Sequence, residues 1–83
     1  MTNTSKRPLY DLEASGRRMK EIRVARGLST KEVRDYMGFS SVQSIYKWEA
    51  GQCFPQADNL LALAKLYQVS PFDLLACEDA AAS

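Results

Sequence analysis

Apolar residues along this chain recur at spacings of three and four, and Gly, Ser and Pro break the pattern into short segments, so the sequence predicts a series of small helices. Leu12, Met19, Ile22 and Ala25 form the first stripe, over about 11–25, with Arg17, Arg18, Lys20 and Glu21 mostly on other faces. Gly16 costs about 1 kcal/mol relative to Ala inside a helix, which places the ordered start of this helix near it. Gly27 ends the helix, and Leu28 turns into the core. Ser29 and Glu32 have the spacing of a capping box, in which hydroxyl and carboxylate satisfy each other's backbone N–H groups. They open a second helix over about 30–37, with Val33 and Met37 inward and Gly38 as its stop. A third helix begins at about 41 or 42, with Ser40 or Ser41 as N-cap, and runs to 50, where Gly51 stops it. After the loop 52–55 and its proline, Leu60, Leu63, Ala64 and Tyr67 mark a fourth helix over 56–67. Ser70, Pro71 and Asp73 then supply an N-cap, a proline at the first helical position and an acid at the third. These predict a short fifth helix to about 76 carrying Leu74 and Leu75. No strand pattern, repeat or Gly-Ser linker interrupts this series. The expectation is an all-α, five-helix domain over 9–77, with a flexible N-terminal arm at 1–8 and a flexible tail at 78–83.

Residues 29–51 thus read as two short helices joined by a glycine turn, a helix-turn-helix, and this pattern points to duplex DNA. At about 100° per residue, Ile45 and Trp48 define the inward direction of the third helix, with Ser41 between them. Gln43, Lys47 and Ala50 fall opposite, Tyr46 lies on the flank, and Val42 stands near the boundary. Gln pairs with the N6 and N7 edge of adenine, and Lys donates to guanine O6 and N7. Ala50 leaves room for a backbone to approach, and Val42 or Tyr46 suits a thymine methyl. On an arbitrary helix these would be ordinary solvated side chains; the preceding glycine turn is what gives them a reading role.

Composition narrows the alternatives. The 83 residues are 46% apolar and 25% charged, the balance of one small globular domain without room for a large enclosed active site. The formal net charge of +1 hides an asymmetry. Residues 1–47 carry ten of the eleven Lys and Arg against five acids, a balance of +5; the remainder carries Lys65 against five acids, a balance of −4. A basic half suits a polyanion. Lys6 and Arg7 either belong to a disordered end or reach phosphates or a minor groove from the arm. No apolar run approaches the roughly 18 residues of a membrane span, and no signal-peptide pattern is present, so a cytoplasmic protein is expected. The chain has no histidine, and Cys53 and Cys77 lack metal-ligand spacing. Both cysteines are expected as free thiols, with Cys77 near a subunit contact, and no metal or cofactor is expected. No paired-carboxylate site or Gly-rich phosphate loop suggests an enzyme.

With these residues placed, the chain resembles the Cro/repressor-type (XRE) helix-turn-helix family of phage repressors and small bacterial regulators. The resemblance covers roughly 16–75. It rests on Gly16 to Arg23, Arg26-Gly27-Leu28-Ser29, Lys31-Glu32-Val33, Met37-Gly38, Ile45, Trp48-Glu49, Gly51, Pro55, Leu60, Leu63-Ala64, Val69-Ser70 and Leu74-Leu75. It implies a compact five-helix lambda-repressor-like domain. Its third helix would enter the major groove, as part of a homodimer on a pseudo-palindromic double-stranded operator. By position it implies base-facing or groove-edge roles for Ser41, Val42, Gln43 and Lys47, beside the apolar contact of Tyr46. Thr30 and Lys31, at a helix start that favours anions, correspond to phosphate contacts, and Gln52 to a backbone-contacting loop; Ser40 is expected to join them as a phosphate clamp. Arg23 and Glu49 correspond to a structural pair between the first and third helices.

Three positions depart from the family pattern. One extra residue lies between Gly38 and Ile45, Arg34 replaces a small residue, and Gln68 stands where a helix-ending glycine is frequent. The first two are expected to compensate: a longer turn moves the third helix outward, leaving room for Arg34 or letting it reach a phosphate. The functional expectation is a sequence-specific DNA-binding transcriptional regulator. The alternative is a protein-interaction module, an antitoxin or regulatory partner, using the acidic second half with Tyr67, Phe72, Leu74 and Leu75.

Overall fold

The computed structural model describes residues 9–78, and at 9, 10, 77 and 78 the backbone alone. The arm 1–8 with Lys6 and Arg7, the tail beyond 78 and the Cys77 thiol lie outside the described residues. The elements are β1 (Leu9–Tyr10), α1 (Leu12–Ala25), α2 (Thr30–Met37), α3 (Gln43–Glu49), α4 (Ala57–Tyr67), a 3-10 turn (Pro71–Leu74) and β2 (Cys77–Glu78). Met19, Val33, Ile45, Trp48, Leu63, Ala64, Tyr67 and Leu74 form one core, with Ile22, Leu28, Met37, Phe39, Leu60 and Val69 packed around it. Each helix and the 3-10 turn therefore contribute to a single apolar centre, and Ala25, placed on the inward stripe by its spacing, is exposed.

The architecture has four α-helices rather than five. Ser70 and Asp73 do form a capping box around Pro71, but Leu75 is extended at φ −103° and ψ 130°, so the segment closes after one 3-10 turn. The chain leaves the helical path because its backbone is needed elsewhere. The Ala76 N–H donates to the buried Ser15 Oγ at 2.8 Å, and the Asp11 N–H donates to the Ala76 carbonyl at 2.7 Å. Beyond it, β1 and β2 pair antiparallel, Leu9 with Glu78 and Tyr10 with Cys77. This short ladder is absent from the periodicity, and its second strand includes Glu78.

Helix α1 starts at Leu12, well before Gly16, with the Asp11 carboxylate accepting the Ala14 N–H at 3.0 Å. Gly16 is a packing residue and not a weak start. A Cβ there would stand 2.6 Å from the Trp48 carbonyl oxygen and 2.7 Å from that of Glu49, so α1 and α3 meet backbone to backbone. Helix α2 has both halves of its capping box, Glu32 N–H to Ser29 Oγ at 3.1 Å and Ser29 N–H to Glu32 Oε1 at 2.8 Å. Gly38 at φ 77° closes it, with Gly38 N–H donating to the Asp35 carbonyl and Phe39 N–H to that of Arg34. This is a Schellman closure, whose left-handed residue favours glycine. Helix α4 closes in the same way with Gln68 at φ 60° and ψ 45°, and Val69 N–H donates to the Ala64 carbonyl. Among the described residues no helix is long and apolar enough to cross a membrane.

Candidate nucleic-acid interface

Helix α3 is short, and its neighbours fix its orientation. Ile45 and Trp48 are buried, 1% and 5% exposed, and Phe39 packs edge-on against the Trp48 ring with centroids 5.8 Å apart. The turn that carries the extra residue, 39–42, is thus pinned at its first side chain. On the α1 side, Arg23 grips Glu49 in a two-point ion pair, Nε to Oε2 at 2.7 Å and Nη2 to Oε1 at 3.1 Å. The third guanidinium nitrogen, Nη1, donates to the Leu28 carbonyl at 2.8 Å. The hydrogen bond to Glu49 raises the Arg23 pKa above its ordinary value, with burial opposing. Tyr67 is also shifted upward, first by burial and then by the charge of Glu49, with Arg23 opposing. The inner side of α3 is therefore held by the core on one flank and by a charge-assisted clamp on the other.

The outer side is open. Gln43, Lys47 and Ala50 are exposed, and Gln43 and Lys47 stand one turn apart on one face. Helix α3 begins at Gln43, later than the sequence suggests. Val42 sits at its N-cap, half-buried and without a side-chain cap, while the Ser41 hydroxyl accepts the Gln43 N–H at 3.3 Å. Ser41 precedes the helix, so the 100° phase does not extend to it. It is exposed rather than turned between Ile45 and Trp48. Ser40 is exposed in the same turn.

Tyr46 lies on the α1 side of this face, exposed, with its phenol oxygen 3.4 Å from Thr30 Oγ1 at the start of α2. Thr30 is half-buried and Lys31 exposed, so the start of α2 and the middle of α3 share one surface. Gln52, exposed, follows α3 and donates its N–H to the Lys47 carbonyl at 2.9 Å. Arg34 is held apart from this group. Its guanidinium binds the adjacent Asp35 carboxylate at 2.8 and 3.0 Å, a local pair that its spacing did not suggest.

Sequence reasoning missed three features beside this surface: the Phe39 ring on Trp48, the close approach at Gly16, and a depression of about 300 Å³ lined by Lys20, Arg23, Tyr46, Glu49 and Ala50. An apolar residue directly after the helix-stopping Gly38 signals that Phe39 turns inward, but not that its ring meets Trp48 on the next helix. The other two depend on how α1 and α3 cross, which periodicity does not encode. Among the described residues no group of acidic, cysteine or histidine side chains could hold a metal ion.

Comparison with known proteins places this geometry. A family model described as helix-turn-helix matches residues 19–74. The fold superimposes on the restriction-modification controller protein C.AhdI from Aeromonas hydrophila with a TM-score of 0.70 and 31% identity, covering 77% of this chain and 96% of that one. It is similar to the P22 c2 repressor, solved in complex with a synthetic operator, with a TM-score of 0.68 and 33% identity over 74% of this chain and 91% of that one. The DNA-binding domain of BldD gives a TM-score of 0.65 at 25% identity, covering 77% and 92% of the two chains. No curated protein sequence matches the chain. The helix-turn-helix match spans well over half of the sequence, and its two elements are α2 and α3. The chain belongs to the Cro/repressor-type (XRE) helix-turn-helix family of DNA-binding transcription regulators.

Proposed function

We infer that this protein binds double-stranded DNA sequence-specifically, as a homodimer on a pseudo-palindromic operator, with α3 in the major groove. The observation that carries the reading is the exposed face of Gln43, Lys47 and Ala50 on a helix whose opposite side is fixed by Ile45, Trp48 and the Arg23–Glu49 clamp. A rigid mount matters because a base contact is read only when the donor is held in register. Gln43 and Lys47 read base edges, and Val42 and Ser41 meet the groove edge at the start of the helix. Thr30, Lys31, Ser40 and Gln52 contact phosphates and set the docking angle without carrying sequence information. Arg34 joins them only if its pair with Asp35 opens. The structure of the P22 c2 repressor with an operator supports this reading by likeness.

A second reading, a module that binds another protein, keeps only Phe72 fully exposed at 78%, with Leu61 at 59%; Tyr67 and Leu74, expected in that contact, are buried in the core instead, and Leu75 is half-buried. In our reading that end of the molecule joins two copies of the chain. Gel retardation of duplex DNA over a salt series separates the two. DNA docking predicts affinity that falls steeply with salt as counterions are released. Gln43→Ala should cost about 1–3 kcal/mol at one base position, while Lys31→Ala should weaken all sequences alike. No retardation at low salt would refute DNA binding and leave the protein-interaction module.

A further inference from the structure

We propose that the depression between α1 and α3 seats a phosphodiester of the bound duplex, with Lys20 as its cation and Tyr46 as its hydroxyl donor. The inference rests on the docking described above and adds a contact from α1, outside the helix-turn-helix itself. Lys20 lies three residues before Arg23 and shares its face of α1. Both side chains line the depression, but their states differ. Arg23 spends its donors on Glu49 and on the Leu28 carbonyl, so the Arg23–Glu49 pair adds no net charge to the site. Lys20 is exposed and has no ion pair or hydrogen bond to any described residue. The site therefore carries one uncompensated positive charge beside a neutral pair, a field suited to a single anion.

The rim gives that anion its identity. Tyr46 on α3 and Ala50 at its C-cap are one turn apart, and Ala50 shares the outer face with Gln43 and Lys47. An anion here lies alongside the reading face, where a strand backbone runs when a helix occupies the major groove. Ala50 adds no bulk at the edge, so a backbone can approach. The Tyr46 phenol oxygen stands 3.4 Å from Thr30 Oγ1, longer than an ordinary O–H···O bond of about 2.7 Å. In this contact Thr30 Oγ1 donates and the phenol oxygen accepts, so the phenol proton is available to a phosphate oxygen. In this arrangement Tyr46 contacts the backbone instead of a thymine methyl.

The test compares salt dependence across variants on the duplex that the wild-type protein selects. Lys20→Gln should lower the magnitude of the slope of log affinity against log salt by about 0.9, the value of one released counterion. Equivalently, its deficit relative to wild type should shrink about 3.5-fold between 50 and 200 mM salt. The loss should be uniform across base-substituted duplexes, and Lys20→Arg should keep the wild-type slope. Tyr46→Phe should weaken binding uniformly without changing the slope. Thermal melting of Lys20→Gln should match wild type, which excludes a structural origin. An unchanged slope in Lys20→Gln, with Gln43→Ala still losing its one base position, would overturn the phosphate seat and leave the docking intact. A loss confined to one base position in Tyr46→Phe would return Tyr46 to base reading and also overturn the proposal. Failure of the wild-type protein to retain duplex DNA would instead refute the docking on which the proposal rests.

Discussion

Gly16→Ala separates local helix propensity from packing, because the two give opposite signs. Gly16 lies inside α1, where alanine is favoured over glycine by about 1 kcal/mol. By propensity alone the substitution stabilises. In the structure the added Cβ meets the Trp48 and Glu49 carbonyl oxygens at 2.6 and 2.7 Å. Both are main-chain atoms at the end of α3, so no side-chain rotation relieves the clash, and α3 would have to retreat by roughly half an ångström. Overpacking typically costs about 1–3 kcal/mol, and two backbone contacts put this site at the upper end. The retreat also stretches the Arg23–Glu49 clamp, which joins the same two helices. Subtracting the propensity gain leaves a net loss of roughly 2 kcal/mol. For a domain of this size that lowers Tm by about 8–16 °C. Circular dichroism melting of wild type and variant measures it directly. A variant that melts at or above the wild-type temperature would refute the close approach of α1 to α3.

Other residues give independent tests. Glu49→Ala strands the largely buried Arg23 guanidinium without its partner and should destabilise by about 3 kcal/mol in urea unfolding; a loss below about 1 kcal/mol would show that the pair is solvent-screened. Gln68→Gly should raise stability by about 1 kcal/mol, because Gln68 holds a left-handed conformation that glycine adopts without strain. Lower stability in that variant would mean that the Gln68 side chain contributes a contact absent from this account. Burial raises the folded-state pKa of Tyr67 above its ordinary value of 10.0, so its neutral form contributes stability that is complete below pH 10 and is lost as pH rises through the folded pKa. Unfolding free energy should therefore fall by up to about 1.4 kcal/mol per pH unit above 10 from this group. That component should vanish in Tyr67→Phe, and an equal fall in both proteins would place its origin elsewhere.

Much of the helical order is legible in the sequence because it depends on local rules. Ser29 with Glu32, Gly38, and the spacing of Leu60, Leu63, Ala64 and Tyr67 act within a turn or two, and α2 and α4 follow from them. The outward placement of Gln43 and Lys47 follows from Ile45 and Trp48 in the same way. The ends of the domain obey a longer-range demand. Ser70, Pro71 and Asp73 carry the signals of a helix start, yet the backbone at Ala76 bonds to Ser15 and Asp11, more than sixty residues away. Local signals therefore yield a single 3-10 turn and a short ladder. Gly16 shows the same limit, since its cost is local and its purpose lies on another helix. The start of α3 was illegible because Ser40 and Ser41 both suit an N-cap, whereas the helix begins after Val42, which offers no side-chain cap, in a turn whose first residue Phe39 packs on Trp48. The role of Lys20 was hidden because its setting exists only once α1 crosses α3.

Selection of bound sequences from random duplex DNA, carried out in parallel with the wild-type protein and Gln43→Ala, tests whether α3 reads DNA. A homodimer with α3 in the major groove should yield a two-fold symmetric site from the wild-type protein. Gln43→Ala should relax one base position in each half while leaving the half-site spacing unchanged. Absence of enrichment with the wild-type protein, or identical sites from both proteins, would contradict the assignment of α3 as the helix that reads DNA.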